Sequence, residues 1–271
     1  MCQVFKVSRG GYYAWVRRPL SPREKENLKL IERIKAIHDA SGETYGSPRI
    51  TDCLLSENFK VSRPRVARLM NRFSICAKTH RKFKVTTDSD HKYPIAPNLL
   101  KRDFTAKEPR KFLTSDITYI DAGEGWLYLT IVMDLFNREI LGWSMSKSLK
   151  ASDTTIAALE DAFNRHHLSP EVIFHSDRGI QYACDEFRKK LTAYQMIQSM
   201  SSKGNCYDNA VTESFFATLK KELVYQQKYR SRLQAKQSLF MYIEMFYNRK
   251  RKHSFLGNMS PEEFLKLKLV A

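Results

Sequence analysis

Three residues stand in a spacing suited to phosphoryl-transfer chemistry. They are Asp177 in H-S-D-R-G-I-Q-Y, Glu213 in D-N-A-V-T-E-S-F-F with thirty-five residues between the two acids, and Lys220 seven beyond Glu213. Carboxylates brought from separate segments can share a hard divalent cation such as Mg²⁺, which fills its remaining positions with water and phosphate oxygens. A second ion needs a third acid, and Asp116 in F-L-T-S-D-I-T-Y-I-D is the best candidate. Three carboxylates could then hold two Mg²⁺ or Mn²⁺ ions about 3.5–4 Å apart.

The flanking residues predict the elements that carry these groups. Val172, Ile173 and Phe174 make a short buried strand, and Asp177 leaves its C-terminal end into a turn at Gly179. From Asp208 onward the apolar residues Val211, Phe215, Leu219 and Leu223 recur with helical period. Asn209, Glu213 and Lys220 fall on the border of that apolar face, which half shelters Glu213. Asp116 lies in an alternating, β-branched segment that predicts a strand. The site requires that strand to lie beside the one ending at Asp177. Small and turn-forming residues in S-K-G-N-C-Y, ahead of Asp208, predict a loop at the site mouth.

Five segments occur in order along nearly the whole chain: D-I-T-Y at Asp116, W-L-Y-L-T-I-V-M-D-L-F-N-R-E-I-L-G-W from Trp126 to Trp143, H-S-D-R-G-I-Q-Y, the Glu213 to Lys220 helix, and Y-N-R-K-R-K-H-S-F-L-G. Together they resemble the DDE transposases of the IS-three insertion-sequence family. The resemblance is to the second-frame protein OrfB, whose core is similar to retroviral integrase. It implies that Asp116, Asp177 and Glu213 are catalytic ligands of two Mg²⁺ or Mn²⁺ ions. It also implies that His175, Asn209 and Lys220 touch either a ligand carboxylate or a DNA phosphate. The implied reaction is in-line attack on a phosphodiester, first by water and then by a DNA 3′-hydroxyl. Double-stranded DNA, as element ends and target, is the implied substrate. A homo-oligomer on DNA and the first-frame OrfA product, or an OrfAB fusion, are the implied partners, in the bacterial cytosol at the nucleoid. Two other functions fit the same residues: a DNA-binding regulator without catalysis, and a nuclease that cuts without joining.

Composition agrees. The formal charge is +17, and 24 Lys and Arg against 11 Asp and Glu fall in residues 1–110, so the basic excess lies early and favours a polyanion such as DNA. Five cysteines, with no C-x-x-C pair, argue against both a disulfide framework and a structural zinc site. No apolar run is long enough to span a membrane.

Patterning divides the chain into five parts. Residues 1–22 are a basic, aromatic segment in which Ser8 could cap a short helix. Residues 23–75 predict a small all-helical, helix-turn-helix-like DNA-binding domain, with Leu30, Ile31, Ile34, Ile37, Ile50, Leu54, Leu55, Val66, Leu69, Met70 and Phe73 facing inward. Its third helix carries Arg63, Arg65, Arg68 and Arg72 as candidate DNA contacts. Residues 76–110 are polar, with Pro94, Pro97 and Pro109, and predict a basic linker in which Lys78, Arg81, Lys82 and Lys84 could follow a DNA backbone. Residues 111–230 hold three antiparallel strands followed by alternating helix and strand. That is the pattern of a ribonuclease-H-like α/β fold, a mixed five-stranded sheet flanked by helices. Residues 231–271 predict a helical basic extension, with Arg249, Lys250, Arg251 and Lys252 as further DNA contacts.

Overall fold

The computed structural model describes residues 2, 4, 7–78, 93–202 and 206–270. Arg81, Lys82 and Lys84, and the middle of the expected site-mouth loop at 203–205, lie outside the described residues. The chain divides into two compact units, residues 1–78 and 79–271. Among the described residues no helix is long and apolar enough to cross a membrane.

The first unit is helical: α1 (Arg9–Val16), α2 (Pro22–Ala40), α3 (Ser47–Ser56) and α4 (Arg63–Arg72). Ser8 and Ser21 cap the first two by accepting the N–H of Gly11 and Glu24, which would otherwise be unpaired at a helix start. Leu30, Ile31, Ile34 and Ile37 of α2 pack with Ile50 and Leu54 of α3 and with Val66, Leu69 and Met70 of α4, all buried. Leu55 and Phe73, expected inside, are instead exposed. Leu55 turns about 100° away from Leu54 around α3, and Phe73 ends α4 with Lys35 and Arg72 over its ring.

The second unit is built on β1 (Phe112–Asp121), β2 (Trp126–Asp134), β3 (Ile140–Ser146), β4 (Ile173–Ser176) and β5 (Ile197–Met200), in the order β3-β2-β1-β4-β5. The first three are antiparallel neighbours; β4 and β5 run parallel to β1. This is the mixed ribonuclease-H-like sheet that the pattern predicts. One face packs on α5 (Thr155–His166), the single turn α6 (Ile180–Ala183) and α7 (Asp185–Ala193), through Leu113, Val132, Leu141, Leu159, Phe174 and Phe187. The other face packs on α8 (Ala210–Glu222) and α9 (Arg232–Phe240), through Ile120, Leu129, Ile131, Phe215, Leu219 and Leu239. A final helix, α10, covers Pro261–Val270.

Burial on both faces makes the central strands nearly continuous apolar runs. At Gly142 of β3 a side chain cannot fit: a Cβ would lie 2.6 Å from the Ala158 carbonyl oxygen and closer still to the Ala162 nitrogen. Gly142→Ala is therefore expected to destabilise the second unit by about 3 kcal/mol, read as a lowered denaturation midpoint. Asp134 holds the turn after β2, where its carboxylate accepts the N–H of Arg110 and of Phe136, and burial pushes its pKa up to about 6.

Two regions differ from their sequence reading. Residues 93–110, expected as a free linker, run along the core. The Met200 N–H donates to the Pro97 carbonyl, the Leu99 N–H donates to Ser199, and Leu100 is buried. The segment covers the edge of β5, where open backbone groups would otherwise face solvent. The helical extension expected over 231–271 opens as two pieces, α9 and a wide π turn at Met241–Tyr247, and its Leu239, Ile243 and Tyr247 belong to the same core as β2.

Candidate active site

The register of the two parallel strands brings the acids together. Leu113 lies opposite Phe174, Thr114 opposite His175 and Ser115 opposite Ser176; the next residues along are Asp116 and Asp177. Alternation turns Asp116 to the same face as Thr114, which is the face that packs on α8. Burial and the neighbouring Asp177 charge push the Asp116 carboxyl well above the usual carboxylate range, against a 2.7 Å bond from the Ile117 N–H, with Glu213 adding to the rise and Lys220 opposing it. Asp177 is oriented by the Gly179 N–H, 2.9 Å from its Oδ1.

Glu213 sits on the first turn of α8, where burial and the Asp177 charge raise its pKa, yet its side chain is exposed rather than half sheltered. Among the described residues no three acidic, His or Cys side chains converge closely enough to hold a metal ion as the chain stands. Asp116 feels the charges of both Asp177 and Glu213, and Glu213 feels that of Asp177. Lys220, two turns along α8, is half-buried; burial lowers its pKa and the Asp116 charge raises it in part.

His175 and Asn209 do something different from touching a phosphate. His175 is fully buried, with Nδ1 2.9 Å from Ser199 Oγ and Nε2 3.0 Å from the Asp208 carbonyl. Burial lowers its pKa, so the ring is neutral: Nε2–H donates to Asp208 and Nδ1 accepts from Ser199. Asn209 is buried and its Oδ1 accepts from Thr114 and Thr212. Asp208 gathers 93–110 and the chain just after β5: it accepts from Asn98, Arg102 and the Ser202 N–H. Burial works against its charge, but those donors outweigh it and the pKa falls. The three residues together fix the start of α8 against β1, β4 and β5. His175→Ala is expected to cost about 1–3 kcal/mol through unpaired buried groups.

The sequence reading missed Tyr182. It is fully buried in α6, its hydroxyl 2.7 Å from Ser115 Oγ, and the Asp116 and Asp177 charges raise its pKa beyond the effect of burial. It backs the strand pair from the opposite face. The signal was available in H-S-D-R-G-I-Q-Y, since one helical turn after Gly179 returns the chain under Asp177.

The expected DNA contacts separate into two kinds. Arg251 is buried and forks onto Glu222 at the end of α8, with bonds of 2.8 and 2.7 Å, while Tyr242 donates to the same carboxylate. Its guanidinium is turned inward and taken up by that pairing. Arg249 and Lys250 are exposed and Lys252 is half-buried. In the first unit Arg65 bonds Glu26 and Asn27 and Arg72 bonds Glu24, so both tie α4 to α2. Arg63 and Arg68 are exposed.

Family models agree with both units: an HTH-like domain over residues 25–83 and Integrase core domain models over 106–206 and 213–269. A helix-turn-helix-like unit joined to an integrase core defines a polynucleotidyl transferase of the transposase and integrase class. The 31 kDa protein of insertion element IS600 from Shigella sonnei is 41% identical over 264 residues, 97% of each chain. The transposase InsF of insertion sequence IS3A from Escherichia coli K12 is 39% identical over 97% of this chain and 92% of its own. The chain belongs to the IS3 family of insertion-sequence transposases, and DNA transposition is its function. A chain of the simian T-cell lymphotropic virus intasome shares the fold at 14% identity, with a TM-score of 0.50 over 85% of this chain and 73% of its own.

Proposed function

We propose that Asp116, Asp177 and Glu213 are the ligands of two divalent cations, Mg²⁺ or Mn²⁺, and that the chain cuts and joins DNA strands at insertion-sequence ends. The observation that carries this is that Asp116 and Asp177 each directly follow the last paired residues, Ser115 and Ser176, of two parallel strands, with Asp116 under the charges of Asp177, Glu213 and Lys220. The donor set fits: carboxylate oxygens suit a hard dication, and the Asp116–Asp177 repulsion is what such a charge relieves. Glu213 completes the set by turning its exposed side chain toward the pair.

Bound divalent ions supply Lewis-acid stabilisation at the attacking and departing oxygens of an in-line displacement. The protein does the rest by positioning. Water first frees a 3′-hydroxyl at the element end, and that hydroxyl then attacks a target phosphodiester; no covalent enzyme intermediate forms. Lys220 presents its cation to a non-bridging phosphate oxygen beside Asp116. His175, Asp208 and Asn209 hold α8 in register, and the Gly179 N–H aims Asp177.

Arg63, Arg68, Arg249, Lys250 and Lys252 supply contacts to the backbone of double-stranded DNA. The active form is a homo-oligomer on element ends and target, working in the bacterial cytosol with the first-frame OrfA product or as the OrfAB fusion.

The test is strand joining on a labelled, pre-cut element-end duplex with Mg²⁺ or Mn²⁺, by the chain alone and with OrfA. Joined product that disappears with Asp177→Asn and with Glu213→Gln supports the proposal. Cleavage without joining, or joining that survives either substitution, refutes it.

A further inference from the structure

Pairing with β4 covers Phe112–Ser115, and β1 continues past it to Asp121. Beyond Asp116 that edge opens into a cleft of about 900 Å³, lined by Tyr119, Trp126, Lys220, Tyr225 and Lys228, with Asp121 at its far end. Lys220 of α8, which stands beside Asp116, lines this cleft as well.

The walls are held in place. Gly123, at φ +73°, brings the β1–β2 turn so close to the chain at 229–230 that a Cβ would lie 2.8 Å from the Tyr229 carbonyl. The Arg232 guanidinium donates to the Trp126 carbonyl at 3.1 Å, and the Arg232 backbone N–H donates to Glu124. Tyr119 meets Trp126 and Tyr128 edge-on, with centroids 6.3 and 5.2 Å apart, while Trp126 keeps 54% of its surface exposed. A fixed, exposed indole beside two lysines matches the chemistry of an unpaired nucleotide: a base stacks on the ring and the phosphates meet the cations. A paired base hides its faces inside the duplex and cannot use the indole.

We infer that this cleft is a subsite for the unpaired nucleotides flanking the scissile phosphate, with a base on Trp126 and the backbone on Lys220 and Lys228. The inference rests on the strand-joining reading of the acid pair. It is tested by binding in an Asp177→Asn background, where no chemistry occurs, so its failure is separable from a failure of strand joining.

The full chain carrying Asp177→Asn is titrated with two fluorescent element-end duplexes, one blunt and one ending in two unpaired nucleotides that include 2-aminopurine. The unpaired end is expected to bind about tenfold tighter and to quench the 2-aminopurine. Adding Trp126→Ala should erase that preference and leave blunt-duplex affinity unchanged. Trp126→Phe should retain most of it, and Lys228→Gln, at an exposed position, should reduce it about threefold. Equal binding of both ends, a preference that survives Trp126→Ala, or a Trp126-dependent loss on the blunt duplex, which would make duplex DNA the occupant, each overturns the inference.

Discussion

Asp116→Asn is expected to raise the melting temperature of the metal-free protein while reducing strand joining by on the order of a thousandfold or more. The two effects have one cause. Asp116 is half-buried next to Asp177, and both burial and that neighbouring charge disfavour its ionised form. The sign follows from linkage. A carboxyl whose folded pKa lies above its unfolded value stabilises the fold at low pH, and that contribution is lost as pH rises through the folded pKa. At neutral pH the wild type carries the penalty and the asparagine does not. The melting-temperature difference should therefore shrink as pH falls and Asp116 takes up its proton. Divalent cation should raise the melting temperature of the wild type and move the variant much less, because the variant binds it more weakly. Thermal melts of both proteins between pH 5 and 8, with and without Mg²⁺, check each part.

Arg251→Ala is expected to cost about 3–5 kcal/mol, the penalty for removing one partner of a buried ion pair. That lowers the melting temperature by roughly 10 °C. The side chains of Arg251 and Glu222 keep only 6% and 10% of their surface. Truncation would leave Glu222 buried with the Tyr242 hydroxyl as its remaining donor among these bonds. Burial works against the Arg251 charge, yet the Glu222 bonds and the nearby Tyr242 and Tyr247 hold its pKa above the ordinary value. Pairing Arg251→Met with Glu222→Leu should recover much of the loss, since the charge and its partner leave together. Arg249→Ala, two residues before it and exposed, should leave the melting temperature unchanged and weaken DNA binding with a shallower salt dependence. A calorimetric melt and a salt titration separate the two residues.

The contrast between Arg249 and Arg251 shows where the sequence stops being informative. N-R-K-R-K-H reads as a cationic run because charge is the one property visible in it. Which arginine turns inward depends on how the π turn at Met241–Tyr247 delivers the chain against α8, and no local pattern encodes that. Residues 93–110 misread for a related reason. Their bonds run to Ser199 and Asp208, one hundred residues onward, so the segment has order without periodicity. The acid pair was legible because both causes are local: β-branched alternation marks the Asp116 strand, and a short apolar run before Gly179 ends at Asp177. The expectation that these strands are neighbours is met by the observed sheet order. The helix wheel put Glu213 at the border of the apolar face but could not show how far its side chain stays exposed. For His175 the motif gave the position and the fold gave the partners, Ser199 and the Asp208 carbonyl, which come from two other elements.

The most direct test of the central claim is equilibrium Mn²⁺ binding to the full chain, followed by the loss of the free-ion paramagnetic resonance signal. Wild-type protein should take up Mn²⁺, and Asp116→Asn, Asp177→Asn and Glu213→Gln should each weaken that uptake at least tenfold, with Mg²⁺ competing in the wild type. Uptake that is unchanged in all three variants would contradict the assignment of these acids as one metal site.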